Sequence, residues 1–194
     1  FRKRYPNIDI ELGGEQEERA EALGGLALGS LFSLVVIYGL LAIPLRSYLQ
    51  PLVIMSVIPF GAVGAIVGHF LLNEQLMFFS ALGIVALSGV VVNASLVLVD
   101  YANRKRREGM HMVDAILEAT SIRFRPIILT SVTTFIGLIP LMSTSTPATA
   151  PFLPMAISLA WGVLFATFIT LLLVPCLYLI VEDFLQQKNA AQMW

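Results

Sequence analysis

Gln75–Val99 reads QLMFFSALGIVALSGVVVNASLVLV and contains no Asp, Glu, Lys or Arg. A helix crosses the hydrocarbon of a bilayer with about 20 mostly apolar residues, each adding about 1.5 Å. In lipid every backbone N–H and C=O must be paired within the segment, so a run of this kind is a helix. The same charge-free pattern recurs on both sides, in Ala22–Leu45, Ser47–Asn73 and Pro126–Val181. The last is roughly twice as long as the others and holds two helices. The segment Ser143-Thr-Ser-Thr-Pro-Ala-Thr-Ala-Pro151 is the polar, proline-bounded loop between them. The reading is an all-α membrane protein with five spans, about 23–43, 50–72, 77–101, 125–143 and 153–180.

Composition agrees. Of the 194 residues 57% are hydrophobic and 13% charged, and the mean hydropathy is +0.83. A soluble domain carries about 25% charged residues, so this chain lacks the polar surface of a water-solvated globule. A net charge of −1 provides no bulk basic surface for nucleic acid. The single Cys176 lies in an apolar run, where it reads as a small buried or lipid-facing residue, and one cysteine allows neither a disulfide framework nor a metal-ligand spacing. No cofactor or metal motif, nucleophile elbow or phosphate loop is present. No His/Asp/Ser set converges within the spans, so an intramembrane hydrolase is disfavoured.

Lysine and arginine asymmetry orients the spans. Arg46, the run Arg104–Arg107, Arg123, Arg125 and Lys188 fall on one side, while the opposite loops hold only Glu74 and the uncharged 143–151 segment. The basic side is expected to be cytoplasmic, with the C-terminal tail 185–194 inside and residue 1 outside. Residues 1–22 are polar, lack a leader pattern, and read as the end of something upstream in a longer protein. Arg2, Lys3, Arg4 and Arg19 then lie outside, which an upstream folded domain permits. Between spans 3 and 4, Val113, Ile116 and Leu117 share one helical face, and Asp114 and Glu118 another. This predicts a short amphipathic helix along the cytoplasmic surface, begun by a solvated His111.

Small and polar residues inside the spans are the candidates for mechanism. Gly25-x-x-x-Gly29 and Gly64-x-x-x-Gly68, with Gly24 and Gly61, mark faces where helix backbones can approach closely. Gly24-Gly25 is also a hinge candidate. Span 3 carries Ser88, Asn93, Ser95 and Asp100. Asn93 and Asp100 share a face about 10 Å apart along the axis. Asp100 also stands i, i+4 from Arg104, an ordinary helix-end ion pair. A buried Asn93 needs partners, so it is expected to face the bundle, either as packing glue or in transport. Span 4 carries Thr130, Ser131, Thr133 and Thr134, which can hydrogen-bond their own i−4 carbonyls. Arg123 lies below Thr130 on the same face, where it can gate protons or snorkel to phosphates. His69 is expected at the outer interface.

These residues resemble a known family. Ala42-Ile-Pro-Leu-Arg-Ser-Tyr-Leu-Gln-Pro51 with Ile58-Pro-Phe-Gly61 is similar to the loop between the eighth and ninth membrane helices of resistance–nodulation–division (RND) exporters. Gly89-Val-Val-Val-Asn-Ala-Ser-Leu-Val-Leu-Val-Asp-Tyr101 resembles their tenth helix. Glu118-Ala-Thr and Arg123-Phe-Arg-Pro-Ile-Ile-Leu-Thr-Ser131 resemble the surface helix and the start of the eleventh. Gly137-Leu-Ile-Pro-Leu141 and Val174-Pro-Cys176 complete the ordered set, which covers about 23–184.

The resemblance implies a trimeric secondary transporter of the bacterial inner membrane, not an enzyme. Inward proton flow would drive export of hydrophobic or amphiphilic compounds, multidrug resistance being the typical outcome. Residues 23–184 would be the C-terminal membrane half without its first helix, and 1–22 the end of the periplasmic porter domain. Partners would be the N-terminal membrane repeat and periplasmic domains, a periplasmic adaptor, an outer-membrane channel, lipid and protons.

In the family's drug exporters two Asp on the fourth helix, a Lys on the tenth, and an Arg and a Thr at the eleventh relay protons. By register Arg123 and Thr130 match the last two, but Asn93 occupies the Lys position. A divergent branch would place Asp after that Asn, whereas Ala94 follows here. The relay is then either rewired through Asn93, Ser95, Asp100, Arg123 and Thr130, or altered in its proton coupling. A non-transporting sensor or assembly module of the same superfamily is the competing expectation. A five-helix channel lacks the charged or filter-like ring it would need.

Overall fold

The computed structural model describes residues 15–143 and 146–191, with side chains described for 21–143 and 146–184. Most of the expected 1–22 linker and all side chains of the 185–194 tail therefore lie outside the described residues. The elements are α1 (Glu15–Leu45), α2 (Gln50–Met55), α3 (Ile58–Leu72), α4 (Phe78–Arg107), α5 (Met112–Ser143), a 3₁₀ turn at Ala150–Phe152, and α6 (Leu153–Ala191). No strand occurs among the described residues. Five helical stretches are long and apolar enough to cross a membrane: 21–45, 50–72, 78–107, 112–143 and 150–184. Charge avoidance had marked the same five.

Two details differ from the sequence reading. The second span is not one helix but α2 and α3, broken at Ser56–Val57. Pro59 has no N–H to donate, and its ring clashes with the carbonyl four residues back, at Met55, where α2 ends. Ser56 Oγ donates to the Val53 carbonyl at 2.6 Å and so satisfies one of the carbonyls left free at the break. The amphipathic stretch 112–120 is not a separate helix, because α5 runs unbroken from Met112 to Ser143. Its buried face is Ala115, Ile116 and Ala119, while Val113 and Leu117 are exposed. Pro126 does not stop α5; proline is tolerated in membrane helices when neighbouring groups re-satisfy the freed carbonyl.

The chain divides into two compact units, Phe1–Leu34 and Val35–Trp194. In the first, Leu23, Leu28, Leu31 and Phe32 are exposed, and a Cβ added at Gly24, Gly25 or Gly29 would meet nothing within 4 Å. In the second, α6 is the hub and packs against α3, α4 and α5. The core joins Leu87, Val91, Leu98 and Val99 of α4 to Val163, Ala166 and Val174 of α6 and Ile116 of α5. Lipid tails are as apolar as these side chains, so close van der Waals contact holds helices together here, not water exclusion.

That contact is built on small residues. A Cβ at Gly64 would collide with Phe165 Cβ, and one at Gly68 with the Trp161 side chain, so α3 lies directly against α6. Gly61 faces Leu87. Gly83 and Gly162, which the spacing argument did not single out, serve alike. A Cβ at Gly83 would stand 2.8 Å from Met155 O, and one at Gly162 would run into Leu87.

His69 departs from its expected interfacial place, being only 2% exposed. Its Nδ1 lies 2.9 Å from the Ala65 carbonyl and its Nε2 2.9 Å from Ser80 Oγ on α4. A carbonyl only accepts, so Nδ1 carries the proton. Ser80 then donates to Nε2 while its Oγ accepts the Met77 N–H at 3.1 Å. The pair ties the end of α3 to the start of α4 across a turn in which Asn73 adopts the left-handed conformation that Asn tolerates.

Candidate functional site

Between α4, α5 and α6 lies an open cavity of about 180 Å³. Its polar lining is Asn93 from α4, Arg123, Thr130 and Ser131 from α5, and Thr167 and Thr170 from α6. Val90, Val97 and Ile127 are among its apolar walls. Three of the sequence candidates, Asn93, Arg123 and Thr130, thus meet in one place. They do so because seven residues are nearly two helical turns, which puts Arg123 and Thr130 on the face of α5 turned to α4.

Arg123 is the only ionisable residue among the lining groups. Its guanidinium sits over the Tyr101 ring, 5.5 Å from the centroid, a contact worth about 0.5–2 kcal/mol depending on solvent exclusion. Tyr101 OH donates to Glu118 Oε1 at 3.2 Å, and Lys105 Nζ is 3.3 Å from the same carboxylate. Glu118, on the first turns of α5, therefore fixes the ring that carries Arg123. Arg123 Nε is buried and has no hydrogen-bond partner among the described residues. An unmatched buried donor costs about 1–3 kcal/mol, more when charged.

The threonines of α5 bond back to their own helix, and of these only Thr130 lines the cavity. Thr130 Oγ1 donates to the Pro126 carbonyl at 2.9 Å, Thr133 to Leu129 and Thr134 to Thr130. Each keeps its lone pairs as acceptors. Ser131 and Thr167 meet across the α5–α6 contact, with the Ile127 and Val163 carbonyls within reach of their hydroxyls as well. Two hydroxyl protons serve three short contacts there, so the proton between Ser131 and Thr167 can be held from either side.

The remaining candidates lie elsewhere. Ser95 is fully buried on another face of α4 and donates to the Val91 carbonyl at 3.1 Å. Asp100 pairs with Arg104 at 3.5 Å in an exposed i, i+4 bridge. Neither lines the cavity. Asn93 faces the cavity but is exposed, not buried in the bundle. The described bundle does not close over it. Thr167 and Thr170 escaped the sequence reading. Their i, i+3 spacing inside a charge-free span was the available signal, but only the facing of α6 toward α5 gives it meaning.

A second polar cluster was also missed. At the far end of α4 and α6, Gln50 Nε2 donates to Asn103 Oδ1 at 3.2 Å and to Glu182 Oε1 at 2.6 Å. Asn103 Nδ2 donates to Gln50 Oε1 at 2.7 Å, and Tyr178 OH to Asn103 Oδ1 at 2.8 Å. Arg106 reaches Tyr178 OH at 3.1 Å and Glu182 Oε2 at 2.6 Å. No buried side-chain atom of the cluster lacks a partner among the described residues, so the cluster locks α2, α4 and α6 together at that end.

Five of the described helical stretches are apolar and long enough to cross a membrane, and α4, α5 and α6 gather Asn93, Arg123 and several hydroxyls around one cavity, which marks a multi-pass membrane protein and not a single membrane anchor. The chain belongs to the AcrB/AcrD/AcrF family of RND efflux transporters, whose model matches residues 4–182. It is 31% identical over 187 residues to the swarming motility protein SwrC of Bacillus subtilis (strain 168), an alignment covering 96% of this chain and 18% of that protein. It is 32% identical over 158 residues to the multidrug resistance protein MdtC of Proteus mirabilis (strain HI4320), covering 81% and 15%. Its fold superposes on the second crystal form of a heavy metal efflux pump with a TM-score of 0.79 and 27% identity, covering 94% of this chain and 19% of that one. The chain thus spans less than a fifth of the length of these relatives.

Proposed function

We propose that the chain is the C-terminal membrane part of a proton-coupled exporter of hydrophobic or amphiphilic compounds, with the α4–α5–α6 cavity as its half of the proton path. The observation that carries this is Arg123, whose Nε is buried beside the cavity and unmatched among the described residues. Polar groups on the open side of a cavity at membrane depth need polar partners to cover them. A carboxylate from the rest of the protein would complete the site. With it deprotonated, Arg123 pairs with it directly; with it protonated, Arg123 is released, and Asn93, Thr130 and Ser131 accept or pass the hydrogen bond. Asn93 orients but carries no charge, so Arg123 is the charge switch of this half. Gly24, Gly25 and Gly29 leave the first helix bare enough for another helix to lie against it.

The assembly would be a homotrimer in the bacterial inner membrane, with its C-terminus cytoplasmic and a periplasmic adaptor and outer-membrane channel as partners. The amphipathic start of α5 would lie at the cytoplasmic surface. A sensor or assembly module is the second reading, favoured by the single ionisable group in the cavity lining.

The test is energised export by the full-length protein carrying this chain, in cells lacking other pumps. Arg123→Ala is expected to reduce export of an amphiphilic dye by about tenfold or more, the weight of a charge-assisted hydrogen bond. Thr130→Ala is expected to reduce it less. Thr134→Ala, outside the cavity lining, should leave it unchanged. Undiminished export by Arg123→Ala at normal protein levels would reject the relay. No export by the unaltered protein of either dye or metal ion would leave the sensor or assembly reading in its place.

A further inference from the structure

A second pocket, of about 310 Å³, is formed by Leu45, Arg46, Asn103, Arg106 and Arg107. Three of its five lining residues are arginines and none is acidic. The neighbouring charges are balanced: Arg104 pairs with Asp100, Lys105 with Glu108 and Glu118, and Arg106 with Glu182. Arg46 and Arg107 enter no ion pair among the described residues, so two uncompensated positive charges face one hollow. The end of α4 does not explain this, because a helix C-terminus carries partial negative charge at its carbonyls, which repels anions.

The backbone adds an independent observation. Arg46 has φ 50°, in the left-handed region, immediately after α1. That place at a helix end ordinarily falls to glycine, and an arginine there is strained. Its N–H still bonds the Ala42 carbonyl at 3.0 Å, so the turn is a formed cap and not a frayed end. At this left-handed turn the chain leaves α1, and the Arg46 side chain lines the pocket.

We propose that this pocket binds the phosphate of an anionic phospholipid headgroup. Depth selects lipid over a free anion. The pocket lies where α1 and α4 leave their apolar stretches, the level at which bilayer phosphates stand. The chain flanking Arg46 presents Ile43, Tyr48 and Leu52 outward, an apolar surface for acyl chains with a tyrosine of the kind found at membrane interfaces. The paired guanidiniums suit the two non-bridging oxygens of a phosphodiester, and Asn103 spends only one amide hydrogen on Gln50. Because Arg106 and Asn103 also belong to the cluster joining α2, α4 and α6, a bound headgroup would brace that end of the bundle.

The test uses the full-length protein purified in detergent and stripped of lipid, titrated with phosphatidylglycerol, phosphatidylcholine or inorganic phosphate and read by native mass spectrometry. Each surface arginine contributes about fivefold to affinity for an anionic lipid. The Arg46→Gln/Arg107→Gln double variant is therefore expected to bind phosphatidylglycerol roughly 30-fold more weakly. Neither side chain enters an ion pair among the described residues, and each single variant should show about a fivefold loss. Arg104→Gln, outside the pocket, should bind as the unaltered protein does. Equal affinity in the double variant, an equal loss in Arg104→Gln, or equal binding of phosphatidylcholine would each overturn the site. Displacement of the lipid by millimolar inorganic phosphate would overturn the assignment to lipid.

Discussion

Arg123 shows how a residue is prepared from a distance. Its guanidinium rests on Tyr101, and Tyr101 is held by Glu118, a carboxylate that never touches the cavity. Glu118→Ala should therefore weaken export without altering any lining group, whereas Glu118→Gln, which can still accept from Tyr101, should retain most of it. Equal loss in both would assign the effect to the Lys105 pair instead. His69 makes a separate point. Position near the end of an apolar run suggested an interfacial side chain, yet both ring nitrogens are engaged in the interior. Ser80→Ala strands Nε2 and should lower stability by about 1–3 kcal/mol in thermal unfolding. No change would mean that water replaces the hydroxyl.

At the level of elements, the glycines of α3 and the acid of α6 decide how the bundle closes. Gly68→Ala puts a methyl group into Trp161, whose colliding atoms are the rigid root of the side chain, so α3 must move away from α6. A loss of about 1–3 kcal/mol is expected. Gly89→Ala, in open space on α4, should be neutral or slightly stabilising. Glu182→Ala leaves Arg106 and the Gln50 amide without their carboxylate, and breaking a buried pair in this way costs about 3 kcal/mol. A drop in melting temperature no larger than that of an exposed control such as Asp114→Ala would show the cluster to be wetter than its burial suggests. Pro59 is legible as a helix start only after the break is seen, because proline is equally at home inside a membrane helix, as at Pro126 and Pro175.

Across the whole molecule, five spans with one basic side make a topological statement that can be checked. With Cys176 replaced by Ser, a cysteine introduced at Glu108 should react with a membrane-impermeant reagent only from the cytoplasmic side. One introduced at Glu74 should react only from outside. Reaction of both from one side would undo the alternation and the proposed orientation with it. The open side of the α4–α5–α6 cavity belongs to the same scale. Asn93 and Thr130 are exposed in this chain, at a depth where exposed polar groups need cover.

What the sequence determined was the class and the count of spans. Charge is so costly in hydrocarbon that its absence alone draws the helices. The seven-residue step from Arg123 to Thr130 was equally readable, since helical periodicity is local. The tertiary structure alone decided which faces meet. It separated Ser95 and Asp100 from Asn93, and brought Thr167 and Thr170 against Ser131. It also joined Gln50, Asn103, Arg106, Tyr178 and Glu182 into one cluster. These are contacts between helices distant in sequence, set by where small residues let backbones approach, and no periodicity within a single helix encodes its partner.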